Sequence, residues 1–452
     1  MNKTILFSVI ASLFLSTLEA NAYEVTSVDI KRVDIPKELY VNYQGDNKNF
    51  KSGFPTGYGS ALAFNKVNKD GTVEFFALTD RGPNADGPKY EKDGKIMSGK
   101  FFPASSFQPS IALLKLAKGK VSIEKVIPLK NKDDSMISGL PVNFGKIGNS
   151  GEVALDEKLN VLPYDDNGLD PEGLAVDING HFWISDEYGP FAIEFDENGK
   201  LIRKLAPGDG LPELFKYRTP NRGAEGLTLT PNGTLVVMEQ SILNLKKLNK
   251  SSNKTAKFCR IAFINLKTGK IKTIGYPIDF EAYKKPGDAK LGDIVAINDN
   301  EFLIIEQGKD KNKKMRNLVY KFDVTDAQDI SDLLINDKEP EFLENIDDLK
   351  LASKELVVDL REHGWKAEKA EGMTILPDHK TIALINDNDF GVALKLTDDE
   401  NKKAKIGDYV YHLDGSFTLN GKKANPKIEL VKNSPDESEI NLFLVKLDKK
   451  LN

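Results

Sequence analysis

Apolar positions in this chain come in short runs cut off by Gly, Asn, Asp and Pro, and few stretches repeat with a helical period. Pairs of runs fold back on each other as hairpins. The clearest runs from Asp170-Pro171-Glu172-Gly173-Leu174 through Asn179-Gly180 to Trp183-Ile184-Ser185-Asp186-Glu187. A second runs from Ala224-Glu225-Gly226-Leu227 through Asn232-Gly233 to Met238-Glu239-Gln240. Three further copies align with these. They span Gly57 to Phe64 returning through Phe75 to Asp80, Gly292 to Ile297 returning to Ile304-Ile305-Glu306-Gln307, and Ala370 to Ile375 returning to Ala383 to Asp387. Asn-Gly suits a two-residue type I′ turn, because both residues take positive φ at low cost. Asp299-Asn300 and Asp378-His379 fill the same place in the fourth and fifth copies.

Further strand-like runs lie between the copies, such as Ile193 to Ile202 and Ile261 to Thr273, so each hairpin is expected to grow into a sheet of about four strands. Repeated antiparallel sheets predict an all-β fold, a β-propeller, with six blades as the expected count, five or seven left open, and a sandwich or several separate domains as the alternative. Residues 82–108 and 133–169 read as long loop insertions. Tyr23 to Val33 can pair with Leu442 to Leu447 and close the ring, which removes its open edges.

The period of the hairpin also sets where charge falls. With each turn at one end, Glu172 comes opposite Glu187 and beside Asp186, and Glu225 comes beside Glu239 and Gln240. The same register places Asp293 beside Glu306, and Glu371 near Asp387. Blades of a propeller point the same way, so these carboxylates, with Asp80, are expected to ring one mouth of the channel. Like charges at such density raise one another's pKa or require a cation. An all-oxygen set favours Ca²⁺, with Mg²⁺ as the alternative. Glu172, Glu225, Asp293, Glu306, Glu371 and Asp387 are the candidate ligands, and Asp186, Glu187 and Glu239 the candidate general bases. The alternative is that such residues cap turns and accept backbone N–H groups. The four His are scattered and Cys259 is alone, which does not suit zinc. Cys259 reads as a packing residue in a strand. Asp165 to Asp170 is oxygen-rich but lacks the spacing of a calcium-binding hand.

The chain uses Lys by default, so its few Arg stand out. Arg81 follows Asp80, and Arg222 stands three residues before Glu225, with Arg218 nearby. A guanidinium offers a planar fork for phosphate or carboxylate. Arg81 and Arg222 either grip a small anionic substrate or pair with the ring carboxylates. There is no Gly-x-Ser-x-Gly elbow, and no His is placed to serve Ser60 or Ser185.

The 452 residues carry a formal charge of −5, which argues against a nucleic-acid partner. The first 22 residues read as a signal peptide: Lys3, an apolar core from Ile5 to Leu18, and a small-x-small site at Ala20-Asn21-Ala22. The mature chain would start at Tyr23 as one domain over 23–452, exported to the periplasm or beyond, with no membrane segment and as a monomer.

Several strings, in order, resemble the bacterial phytase-like family, the "esterase-like activity of phytase" domain. They are Thr79-Asp80-Arg81-Gly82-Pro83-Asn84, Asp170-Pro171-Glu172-Gly173-Leu174, Trp183-Ile184-Ser185-Asp186-Glu187-Tyr188-Gly189-Pro190, Asn221-Arg222-Gly223-Ala224-Glu225-Gly226-Leu227 and Asn386-Asp387-Asn388-Asp389-Phe390-Gly391. They cover roughly residues 50–395. The resemblance implies a β-propeller, export, and hydrolysis of an ester or phosphoester. One departure is Gln307, where the family often carries Arg. The readings that remain open are a metal-dependent hydrolase, a non-catalytic binding propeller with a structural calcium ion, and a lactonase-like enzyme.

Overall fold

The computed structural model describes residues 23–92, 94–249 and 256–451. The signal-peptide reading of residues 1–22 lies outside them. Among the described residues, five four-stranded antiparallel sheets are arranged around an axis. From inside outwards, the first holds Ala61–Val67, Val73–Leu78, Ser110–Ala117 and Lys120–Pro128. The second holds Pro171–Val176, Phe182–Asp186, Phe191–Phe195 and Leu201–Pro207. The third holds Ala224–Leu229, Thr234–Glu239, Phe258–Asn265 and Ile271–Pro277. The fourth holds Lys290–Ala296, Glu301–Lys309, Met315–Asp323 and Ser353–Asp359. The fifth joins Gly372–Ile375, Thr381–Ile385 and Asn441–Leu447 to the N-terminal strand Val25–Asp34. The fold is a β-propeller, and its blades number five, not six: each of the five recurring hairpins builds one sheet, and the five inner strands meet side by side in a closed ring.

Ring closure follows the expected pairing. Val28 lies opposite Val445 and Ile30 opposite Phe443. The same N-terminal strand then reaches the next blade through Val33 and Asp34, which pair in parallel with Val121 and Ser122. The apolar residues on facing sheets pack between blades. Phe182, Ile184 and Ile193 meet Ala61, Leu78 and Ile111, and Trp183 and Ala192 meet Leu227, Leu235 and Val237. Cys259 is buried in the layer between the third and fourth blades.

The turns differ from the type I′ expectation. In the two Asn-Gly turns only the Gly takes positive φ, at 81° for Gly180 and 83° for Gly233, and His379 does so at 53° in the fifth copy. Gly180 N–H bonds to Asp177 C=O, and Asp177 N–H to His181 C=O, which makes a type I turn followed by one left-handed residue. Asp177 Oδ1 also accepts the N–H groups of Asn179 and His181, and this explains why an acidic residue opens the turn.

The long insertions gather into one cap. Lys89–Lys92 and Lys95–Phe101 form its middle, Glu152–Leu155 pairs in parallel with the latter, and Tyr409–Tyr411 pairs in parallel with the former. Phe54, Phe101, Phe390 and Leu430 pack beneath this sheet. No helix among the described residues is long and apolar enough to cross a membrane.

Candidate functional site

The acidic end of each hairpin is built by an irregularity in its ladder. Register shifts fall between Pro171 and Gly173, between Ala224 and Leu227, and between Leu291 and Ile294. A bulge frees a side chain from strict alternation. Here it releases Glu172 and Glu225 from the sheet faces, while in the fourth blade the bulge carries Gly292 at their position and Asp293 one residue later. The Gly after each Glu has a separate cause. A Cβ on Gly226 would lie 2.8 Å from Ile294 N, and one on Gly173 would lie 2.6 Å from Glu225 O. The inner strands therefore touch backbone to backbone at this level. Beyond it, toward the turns, the axis opens into a cavity of about 440 Å³ lined by Leu174, Leu227, Ile294 and Met373 together with Thr228 and Thr374. The carboxylates sit at the opposite end.

Two groups of three carboxylates form at that mouth. Asp170, Glu172 and Glu187 bring one oxygen each within 4.8 Å of one another, and so do Asp80, Asp387 and Asp389. Glu225 and Glu371 both act on Glu172, and Glu371 also feels Asp387 and Asp389 of the other group. Asp170 Oδ2 and Glu172 Oε2 are buried and accept no hydrogen bond. Gln240 Nε2 donates to Glu187 Oε1 at 2.7 Å and to Glu225 Oε2 at 2.9 Å, tying the second blade to the third.

Two cations balance part of this charge. Arg81 Nη1 lies 3.3 Å from both Glu152 Oε2 and Asp170 Oδ2, and 3.0 Å from Asn221 Oδ1. Its backbone N–H also donates to Asp170 Oδ1. Lys369 Nζ lies 2.5 Å from Asp387 Oδ2 and 2.8 Å from Asp389 Oδ1. Burial alone would lower the pKa of this ammonium, but Asp387, Asp389 and Glu371 hold it well above the ordinary value.

The carboxyl groups respond to the same field. Burial first, then repulsion from Asp170, raises Glu187 to about 7. Burial raises Glu371 to about 8 against the pull of Lys369. Glu172 and Glu225 are pushed well above the carboxylate range by burial and by their acidic neighbours. Burial, followed by Asp387 and Asp170, does the same to Asp80. Burial and mutual repulsion thus favour the protonated forms of Glu172, Glu187, Glu225, Glu371 and Asp80, and a cation entering beside them would displace those protons.

Several residues of the expected ring lie elsewhere. Asp293 spends both oxygens on backbone, Oδ1 on Ile294 N–H and Oδ2 on Met373 N–H, each at 2.8 Å. Glu306 faces the interior of the third and fourth blades, where it accepts from Lys354 Nζ at 2.7 Å, Tyr276 and the Asp279 N–H. Glu239 is fully buried with neither oxygen hydrogen-bonded, and the charged group acting on it is Arg218 rather than the mouth acids. Asp186 is fully buried, with Oδ1 accepting from Asp170 N–H and Tyr188 N–H. Burial raises it to about 7, but its position supports Asp170 from below. Arg222 turns away, and its Nη1 donates to Gly287 C=O at 2.5 Å. Gln307 pins the start of the fifth inner strand by accepting from Ala370 N–H and Asn317. In the Asp165–Asp170 loop, Asp165 binds Ser138 and Asp166 binds Asn143, leaving only Asp170 for the mouth.

Sequence reasoning does not assign Asp170, Asp389, Gln240 or Lys369 a place in the site. Asp170 and Asp389 each stand two residues from a candidate acid, inside the same strings. Lys369 gives no signal, because one Lys among so many does not stand out.

Five antiparallel sheets closed around an axis, with acids collected at one mouth, define a β-propeller with an acidic top site. Residues 55–390 match the phytase-like family, described as "esterase-like activity of phytase". The match covers well over half of the chain, which belongs to this family. The cap strands between Val392 and Lys432 fall outside the matched region. A relative from Arthroderma benhamiae, described as an uncharacterized secreted protein, is 28% identical over 238 residues, which are 42% of this chain and 45% of that protein. The chain thus spans less than half the length of this relative. Among solved structures, a protein from Lactobacillus plantarum aligns at 11% identity over 86% of this chain and 89% of its own, with a TM-score of 0.34. Virginiamycin B lyase from Staphylococcus aureus aligns at 11% identity over 89% and 99%, with a TM-score of 0.28. Likenesses this weak say nothing about activity.

Proposed function

We propose that the protein is an exported hydrolase that cleaves a phosphoester or carboxylic ester at the acidic mouth with the help of a divalent cation, Ca²⁺ before Mg²⁺. The observation that carries this reading is the pair of buried oxygens, Asp170 Oδ2 and Glu172 Oε2, that accept no hydrogen bond within one three-carboxylate group. The donors are all oxygen, as hard cations require. Asp170, Glu172 and Glu187 would hold the ion. When bound, such a cation activates a water and offsets charge building on the ester oxygen.

The chain's own residues supply the rest. Arg81 and the Asp186 carboxyl fix Asp170 from two sides, through its side chain and its N–H. Gln240 keeps Glu187 and Glu225 at a set spacing. Glu371, facing the same space and pushed up to about 8, would accept a proton from the attacking water only in its ionised form, which a cation bound nearby would favour. Lys290 and Lys369, whose charges both act on Glu371, draw a small anionic substrate to the mouth. The test is hydrolysis of p-nitrophenyl phosphate and p-nitrophenyl acetate before and after chelation. Activity should fall to background with EDTA and return with Ca²⁺. Equal turnover with chelator present would end the metal mechanism.

A second reading is a binding propeller with a structural calcium ion. What favours it is burial: Asp170, Glu172, Glu187, Glu225 and Glu371 are each 8% exposed or less, so an ion reaches them more easily than an ester does. That reading expects Ca²⁺ to raise the melting temperature with no turnover on either ester.

A further inference from the structure

We propose that Lys369 is a built-in cation that fills one of the two carboxylate groups at the mouth, so that the protein takes up one divalent cation and not two. This rests on the metal reading of the Asp170, Glu172 and Glu187 group. The two groups are alike in donor type and spacing: each offers three carboxylate oxygens within 4.8 Å of one another. They differ in what stands among the oxygens. In the Asp80, Asp387 and Asp389 group, the Lys369 ammonium bonds two of the three acids at 2.5 and 2.8 Å and lies 4.0 Å from Glu371 Oε2. In the other group, two oxygens are buried without a hydrogen bond. The cation beside it, Arg81, reaches one of these acids, Asp170 Oδ2, at 3.3 Å without a hydrogen bond, and shares the same Nη1 with Glu152 and Asn221.

An ammonium and a calcium ion compete for the same space. Ca²⁺ binds oxygens at about 2.3–2.6 Å, close to the lysine contacts seen here. The ammonium is tethered, so its local concentration is fixed and a free ion must displace it together with its hydrogen bonds. In the Asp170 group the tethered cation, Arg81, pairs with Asp170 alone, from 3.3 Å, and forms no ion pair with Glu172 or Glu187, so it displaces an ion far less than Lys369 does. Two equivalent-looking acidic pockets are therefore unequal, and Lys369 is what makes them so.

Calcium stoichiometry, read by calorimetric titration and by elemental analysis after desalting, tests this without any substrate. The wild type should bind one ion, Lys369→Met two, and Lys369→Arg one. Glu172→Gln, which leaves Lys369 in place, should bind none, and this variant keeps the question open to measurement even if Lys369→Met does not fold. Two ions on the wild type, one ion on both the wild type and Lys369→Met, or one ion remaining on Glu172→Gln would each overturn the proposal. No ion on the wild type with one on Lys369→Met would instead overturn the metal reading of the Asp170 group and leave the role of Lys369 standing. No ion on either would remove both.

Discussion

Asp293 Oδ2 accepts the backbone N–H of Met373 at 2.8 Å, across the joint between the fourth and fifth inner strands. Its other oxygen accepts the Ile294 N–H. In the hairpin register Asp293 stands where the second and third blades carry Gly173 and Gly226, one residue past the position of Glu172 and Glu225, and it is spent on holding two blades together. Asp293→Ala should leave two buried N–H groups unpaired and cost about 1–3 kcal/mol for each, seen as a lower melting temperature. Calcium stoichiometry should not change. A stable Asp293→Ala protein that had lost its ion would show that this carboxylate is a ligand after all.

That contrast marks how far the sequence can be read. The hairpin period locates every inner strand and predicts which end is acidic, because alternation and turn residues are local properties. Asp293 is set apart by register, one residue past the position of Glu172 and Glu225, whereas Glu306 shares the hairpin position of Asp186 and Glu239 and is set apart only by the partners that reach it. Met373 N–H and Lys354 reach their acids over sequence separations that no pattern encodes. The blade count fails for a simpler reason. Five hairpins are visible and each builds one blade, while the long insertions come together as the cap sheet.

Stability of the metal-free protein should fall as pH rises. Asp186 and Glu187 titrate at about 7 and Glu371 at about 8 in the fold, against ordinary values of 3.8 and 4.5. The native state therefore holds protons that the unfolded chain has released. Their contribution is complete below the ordinary values and is lost as pH climbs through the native ones. Each tenfold gain in proton affinity on folding corresponds to about 1.4 kcal/mol. Melting curves in EDTA from pH 5 to 9 should show a steady decline, and excess Ca²⁺ should flatten it by replacing the protons. A melting temperature that rises over this window would contradict the buried, protonated state.

Gly226→Ala should destabilise the ring itself. The added methyl would lie 2.8 Å from Ile294 N and 3.0 Å from Asp293 Cα, both backbone atoms of the next blade that cannot move alone. Overpacking of this kind costs about 1–3 kcal/mol. Gly407→Ala, where the new methyl meets nothing within 4 Å, is the control and should be near neutral. Equal melting temperatures for the two variants would mean that the inner strands have slack.

Arg81 decides between an anchor and a substrate clamp. Its side chain is 6% exposed, lies within 3.3 Å of Glu152, Asp170 and Asn221, and sits over the rings of Tyr188 and Phe102. Those neighbours surround it, and an arginine so enclosed has little left to offer a ligand. Arg81→Gln would leave Asp170 and Glu152 buried without their counter-charge, a loss of about 3–5 kcal/mol. The expected result is a large drop in melting temperature, partly recovered by Ca²⁺, because the ion supplies Asp170 with the charge it lost. A clamp would behave differently: the variant would melt like the wild type and show a raised KM for p-nitrophenyl phosphate at unchanged kcat. The geometry favours the anchor, since an arginine that holds Asp170 Oδ1 through its backbone N–H and Oδ2 through its guanidinium fixes the orientation of that carboxylate within the three-acid group.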